Sequence, residues 1–147
     1  MRFRNFSIWR GRLPHWRADD VRYYVTFRHR RELGPDERRA LLAQLIRPHG
    51  SRWEVGIVAV GADRTELIVQ VPEGTAGRPT ELSDVVEKAK VRAGKAIVKV
   101  SGERFPPFYQ ESYDRIIRDE AELAERWQAI FDLGTDDDGT YLWLAEG

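Results

Sequence analysis

Four consecutive residues, Asp63-Arg64-Thr65-Glu66, carry the densest chemistry of this chain. They stand where a Val- and Ile-rich run, Trp53 to Val60, passes through Gly61-Ala62-Asp63-Arg64 into a second such run, Thr65 to Val71. Two β-branched runs broken by Gly and Asp predict a β-hairpin with Arg64, Thr65 and Glu66 at the mouth of its second strand. Side chains two apart on a strand share a face, so Arg64 and Glu66 point the same way. A guanidinium placed there suits a phosphate contact. The carboxylates of Asp63 and Glu66 are of the kind that ligate Mg²⁺ or Mn²⁺. The plainest alternative is a surface ion pair contributing at most about 1 kcal/mol.

Two further sets of residues could meet a polyanion. Lys88, Arg92, Lys95 and Lys99 fall at spacings of four, three and four on one stripe of a helix expected from Glu81 to about Lys99. Such a stripe can lie along a phosphate backbone or simply face solvent. Near the N-terminus, Phe6, Ile8 and Trp9 stand among Arg4, Arg10 and Arg12, and Gly11-Arg12-Leu13-Pro14-His15-Trp16 closes the stretch before Arg17. Aromatics among arginines stack bases and neutralise phosphates, or close the edge of a core.

The elements that must position these groups are legible in outline. Val21 to Phe27 reads as a strand, and Gly34-Pro35-Asp36-Glu37 opens a helix striped by Leu41, Leu42, Leu45 and Ile46 and ended by Pro48-His49-Gly50. Pro72 to Pro79 is a loop. In the following helix Leu82, Val86, Ala89, Ala93 and Ala96 make the apolar stripe, with Gly94 a weak point in its middle. Phe105-Pro106-Pro107-Phe108 is a stiff connector, Ser112 to Ile117 a short strand, and Arg118-Asp119-Glu120 opens a last helix to about Leu133, striped by Leu123, Trp127, Ile130 and Phe131. Asp136-Asp137-Asp138-Gly139 is an acidic turn before Tyr141 to Leu144. The order strand, helix, hairpin, helix, strand, helix predicts an α+β layer: an antiparallel sheet with helices mainly on one face.

Composition bounds the chemistry. The 147 residues, 41% of them hydrophobic, suffice for one core and a single domain over 1–147, with an arm at 1–20 and a tail at 134–147. The sequence shows neither a membrane span nor a secretory signal, which makes the cytoplasm the expected location. With no cysteine, disulfides, thiolate zinc sites and cysteine nucleophiles are excluded. Lys and Arg balance Asp and Glu at 24 each, yet Met1 to Val55 holds 13 arginines against six acids and Glu111 to Gly147 three against 11. A basic half suggests a polyanionic partner, although a bias toward arginine codons gives the same excess.

Gly11-Arg12-Leu13-Pro14-His15-Trp16, Tyr24-Val25-Thr26-Phe27-Arg28 and especially Gln110-Glu111-Ser112-Tyr113-Asp114-Arg115-Ile116-Ile117-Arg118-Asp119-Glu120 resemble the REP-associated tyrosine transposases, a branch of the single-tyrosine HUH transposases. The resemblance runs from about Arg10 to Gly134. It implies a ferredoxin-like fold that binds single-stranded or hairpin DNA. In active relatives two histidines flanking a hydrophobic residue hold a divalent metal against the scissile phosphate, and a helix-borne tyrosine attacks to leave a 5′-phosphotyrosine.

This sequence departs from that pattern at the chemistry. The Asn-His-hydrophobic-His motif falls on Asp63-Arg64-Thr65-Glu66, so the two ligand positions become Arg64 and Glu66; the tyrosine position falls on Ala129, and the Asn-Pro after it on Leu133-Gly134. Arginine repels an added cation and alanine has nothing to attack phosphorus. The resemblance therefore implies a relative without catalytic residues, without a metal or other cofactor, that binds single-stranded or hairpin DNA through Arg10, Arg12, His15, Trp16, Arg64, Lys88, Arg92, Lys95 and Lys99. Tyr113 reads as sheet packing. RNA as the ligand, a protein-interaction module without DNA, and a residual Mg²⁺- or Mn²⁺-dependent nuclease using Asp63 and Glu66 are the alternatives.

Overall fold

The computed structural model describes residues 21–50, 52–71, 82–109, 111–136 and 141–144. In chain order the elements are β1 (Val21–Arg28), α1 (Pro35–Ile46), β2 (Glu54–Val60), β3 (Arg64–Val71), α2 (Leu82–Ser101), β4 (Tyr113–Ile116), α3 (Glu120–Asp136) and β5 (Tyr141–Leu144). The strands form one sheet in the order β4-β1-β3-β2-β5, every neighbour antiparallel. The first four strands and two helices make the expected ferredoxin-like α+β arrangement. The stretch 134–147, expected to be a tail, instead supplies the end of α3 and the fifth strand, because Tyr141 to Leu144 pairs with β2.

Helices α1 and α2 cover one sheet face: Leu41, Leu45, Val85, Val86, Ala89, Ala93 and Ile97 pack on Val25, Phe27, Val58, Leu67 and Val69. Helix α3 covers the other, laying Leu123, Trp127 and Ile130 on Tyr24, Ile57, Ala59 and Ile68. A bulge between Val55 and Ile57 in the β2–β3 register sends these two side chains to opposite faces. Without it they would share one. Ala96, expected in the buried stripe of α2, is exposed, and Ile97 takes its place.

Two contacts fix the helical layer. Gly94 lies so close to the Pro106 connector that a Cβ there would stand 2.8 Å from the Pro106 Cβ, so the residue that weakens α2 intrinsically also lets the chain pass. Arg31, just past β1, grips Glu37 in the first turn of α1 through Nη1 at 2.8 Å and Nη2 at 2.6 Å, and Glu103, just past α2, through Nε at 3.0 Å. Glu37 Oε1 also accepts the Gly34 backbone N–H at 2.8 Å, closing the end of α1.

Gly94→Ala would gain about 1 kcal/mol in an open helix; here overpacking against Pro106 makes it a net loss of about 1–3 kcal/mol, readable by urea unfolding. The Arg31 hydrogen bonds hold the carboxyls of Glu37 and Glu103 below the ordinary 4.5, Glu103 at about 2. Carboxyls depressed in the folded state stabilise it fully above 4.5, and that contribution is lost as pH falls toward 2. Urea midpoints should therefore fall across that window, and Arg31→Met should flatten the slope.

Candidate functional site

Alternation along β3 decides the site. Leu67 and Val69 face α1 and α2, while Ile68 faces α3. Arg64 and Glu66 therefore lie on the α3 side, as their parity predicts. Arg64 Nε meets Glu66 Oε2 at 3.1 Å, with the arginine side chain 51% exposed and the carboxylate only 13%. The other carboxylate oxygen, Oε1, accepts a hydrogen bond from the Tyr24 phenol on β1. Burial, and then that hydrogen bond to Glu66, push the phenol up to about 12, so Tyr24 stays a donor at neutral pH.

Further residues close around this pair. Arg126 of α3 places its Cζ 4.4 Å from the Tyr24 ring centroid, a cation–π contact. Tyr113 of β4 packs on the sheet against the same ring, edge-on at 6.4 Å, and is itself 54% exposed. Thr26 lies opposite Glu66 and exposed Arg28 opposite Arg64 in the β1–β3 register. Arg64 thus pairs with one largely buried carboxylate, Arg28 lies beside Arg64 across the strand pair and Arg126 lies over the Tyr24 ring, with Asp63 exposed at the turn.

The donor set does not suit a divalent cation. Both Glu66 oxygens are engaged, one of them by a guanidinium, and among the described residues no three His, Cys, Asp or Glu side chains gather into a metal-binding group. His29 is near the hairpin turn in space but belongs to the other layer. Its Nδ1 donates to the Ala62 carbonyl at 2.9 Å, which leaves Nε2 to accept from the Thr65 hydroxyl at 2.9 Å, and burial lowers its pKa. His49 Nδ1 accepts the Val55 backbone N–H at 2.9 Å. Both are structural.

The residues expected to act together are only partly joined. Ala129 is exposed on α3, beside the buried stripe, and the α3 side chain that reaches the Tyr24 ring is Arg126. Lys88, Lys95 and Lys99 are exposed on α2, whereas Arg92 is tethered to α1 by a 2.8 Å bond from Nε to Gln44 Oε1. The sheet stands between that stripe and Arg64. Arg10, Arg12, His15 and Trp16 lie outside the described residues. Tyr24 and Arg126 were missed by sequence reasoning, because only the β1–β3 register brings Tyr24 to Glu66 and only the crossing of α3 brings Arg126 to Tyr24.

Tyr24→Phe removes the hydroxyl donor from a carboxylate that is mostly out of water and should cost about 1–3 kcal/mol in urea unfolding. The tyrosinate signal that appears last in an alkaline ultraviolet titration should vanish with it.

No family model and no curated protein matches this sequence. Among solved structures, the chain is similar to a REP-associated tyrosine transposase bound to a REP hairpin, at TM-score 0.59 and 13% identity over 84% of this chain and 74% of that one. It is also similar to a candidate transposase from Deinococcus radiodurans r1, at TM-score 0.50 and 13% identity over 82% of this chain and 95% of that one. What these likenesses establish is the architecture, and it is that of a transposase-like α+β fold.

Proposed function

We propose that this chain is a non-cleaving relative of the REP-associated tyrosine transposases that binds single-stranded or hairpin DNA. The observation that carries the reading is the Arg64–Glu66 pair standing where the resemblance puts two metal-ligating histidines. The guanidinium engages Glu66 through Nε and is half exposed, which turns the rest of its fork toward solvent. A phosphate can dock on that edge without any ion between. Arg28 and Arg126 add positive charge, and Glu66 with Tyr24 keeps Arg64 in place. At Ala129 a methyl group stands where the resemblance puts the attacking phenol, and it faces away from the sheet. The hairpin-bound state of a structurally similar transposase supports DNA as the ligand.

The chemistry favours holding over cutting. Cleavage of this type needs a Lewis acid on the phosphoryl oxygen and a nucleophile in line with it. An arginine supplies the charge of a phosphate clamp but generates no nucleophile. Recruiting Mn²⁺ to Glu66 would require breaking both its bond to Arg64 and its bond to Tyr24.

A gel-shift with single-stranded and hairpin DNA in EDTA checks this. Binding should survive chelation and weaken steeply with salt, and Arg64→Ala should lower affinity for both probes and reduce the salt slope by about 1. Absence of binding at low salt would refute DNA as the ligand and leave a protein-interaction role. Nicking of a labelled strand in Mn²⁺ that Glu66→Ala abolishes would refute the non-cleaving reading.

A further inference from the structure

The sheet edge opens where β1 outruns β4. At that end β4 pairs with β1 only as far as Tyr113↔Thr26, and the chain touches β1 again as an isolated bridge between Phe108 and His29. Between these two points Tyr109, Glu111 and Ser112 lie outside the strands, and a hollow of about 420 Å³ forms among Thr26, Phe27, Arg28, Tyr109, Glu111 and Tyr113. Tyr109 also borders a second hollow with Arg30 and Phe105, and Arg30 and Phe105 border a third with Arg104. Tyr109 is common to the first two hollows and Arg30, Phe105 and Pro106 to the last two, so the three lie side by side from the end of α2 to Arg28, which pairs across the sheet with Arg64.

The strip is lined in an unusual way for the rim of a soluble domain. Phe105, Tyr109 and Tyr113 are 60%, 48% and 54% exposed, leaving about half of each ring open. Arg104 Cζ stands 5.3 Å from the Phe105 ring centroid and Arg30 Cζ 5.7 Å from that of Tyr109. The walls are held: Lys90 Nζ sits 4.7 Å from the Phe27 ring centroid and donates to Ser112 Oγ at 3.1 Å, and two prolines stiffen the connector. Acids are present but partly engaged, Glu103 by Arg31 and Glu87 by the field of Lys90, while Glu111 is exposed. Open rings interleaved with guanidinium groups match a partner that has flat faces on an anionic backbone. Paired bases have no free faces to offer, so the partner is an unpaired strand.

We propose that Phe105, Tyr109 and Tyr113, flanked by Arg28, Arg30 and Arg104, form a stacking strip for an unpaired stretch of DNA that passes around the β4–β1 edge to Arg64. The strip rests on the reading that the chain binds DNA, and it gives that DNA a route between the two faces of the sheet. Arginines neutralise phosphates along the path while the three rings take bases without regard to sequence.

The test is fluorescence anisotropy with the full chain, using a labelled oligothymidine of about 15 nucleotides and a blunt hairpin whose paired stem is closed by a non-nucleotide linker. Phe105→Leu, Tyr109→Leu and Tyr113→Leu should each weaken oligothymidine binding at least about fivefold and leave the blunt hairpin within about twofold. Tyr109→Phe and Tyr113→Phe, which keep the ring, should bind as the unaltered chain does, and matching thermal unfolding curves exclude misfolding. If the triple leucine variant binds oligothymidine normally, the strip is wrong while DNA binding stands. If the unaltered chain binds neither probe at low salt, DNA binding itself falls. Oligouridine bound more than about tenfold tighter than oligothymidine would overturn DNA as the strip's occupant.

Discussion

Burial of the central strands on both faces is the constraint from which the site follows. Ile57, Val58, Ala59 and Val60 of β2 and Leu67, Ile68 and Val69 of β3 are fully buried, so this part of the sheet has no solvent side. A polar group in such a strand is tolerated only with partners, since each unsatisfied donor or acceptor costs about 1–3 kcal/mol. Thr65 finds His29 on one side of the sheet, and Glu66 finds Arg64 and Tyr24 on the other. Neighbouring residues of one strand are thus satisfied by separate sets of partners in separate layers. That separation keeps His29 away from Glu66 although both touch the same turn of the hairpin.

The fold was legible wherever a local pattern carried it. Pro35 with Asp36 and Glu37 marked the start of α1, the Leu123, Trp127 and Ile130 spacing marked the buried side of α3, and Gly61 to Arg64 marked the hairpin turn. The exceptions have long-range causes. Tyr141 to Leu144 is too short a run to declare itself a strand, and it becomes one because the free edge of β2 accepts it. Ala96 and Ile97 are neighbours on α2, and which of them is buried depends on the angle at which α2 meets the sheet. The bulge beside Gly56 is invisible in an apolar run such as Val55 to Val60, where no alternation of polar residues records the change of face.

The candidate site divides in the same way. That Arg64 and Glu66 form a pair follows from strand parity, a rule with a range of two residues. Tyr24 lies 42 positions from Glu66, and its role depends on the exact pairing of β1 with β3: a slip of one residue would turn the phenol to the opposite face. Arg126 depends on the crossing of α3, and the lysine stripe was recognisable as a stripe without any indication of which layer would carry it. Sequence periodicity reports the faces of single elements and is silent on how faces of different elements are combined.

Under the proposed function, an internal ion pair at residues 64 and 66 in place of a metal cradle would change what limits binding as well as what limits catalysis. A divalent ion must be supplied from solution, and its occupancy varies with concentration and with the protonation of its ligands. A guanidinium remains charged at every physiological pH, and its position is fixed during folding by Glu66, which also accepts a hydrogen bond from the Tyr24 hydroxyl. On the proposed reading a contact with phosphate would answer chiefly to ionic strength, because what such a ligand displaces is condensed counterion. Glu66 tempers that contact by neutralising part of the charge on Arg64. On the proposed reading, the net attraction for a strand would therefore draw also on Arg28, beside Arg64, and on Arg126, over the Tyr24 ring.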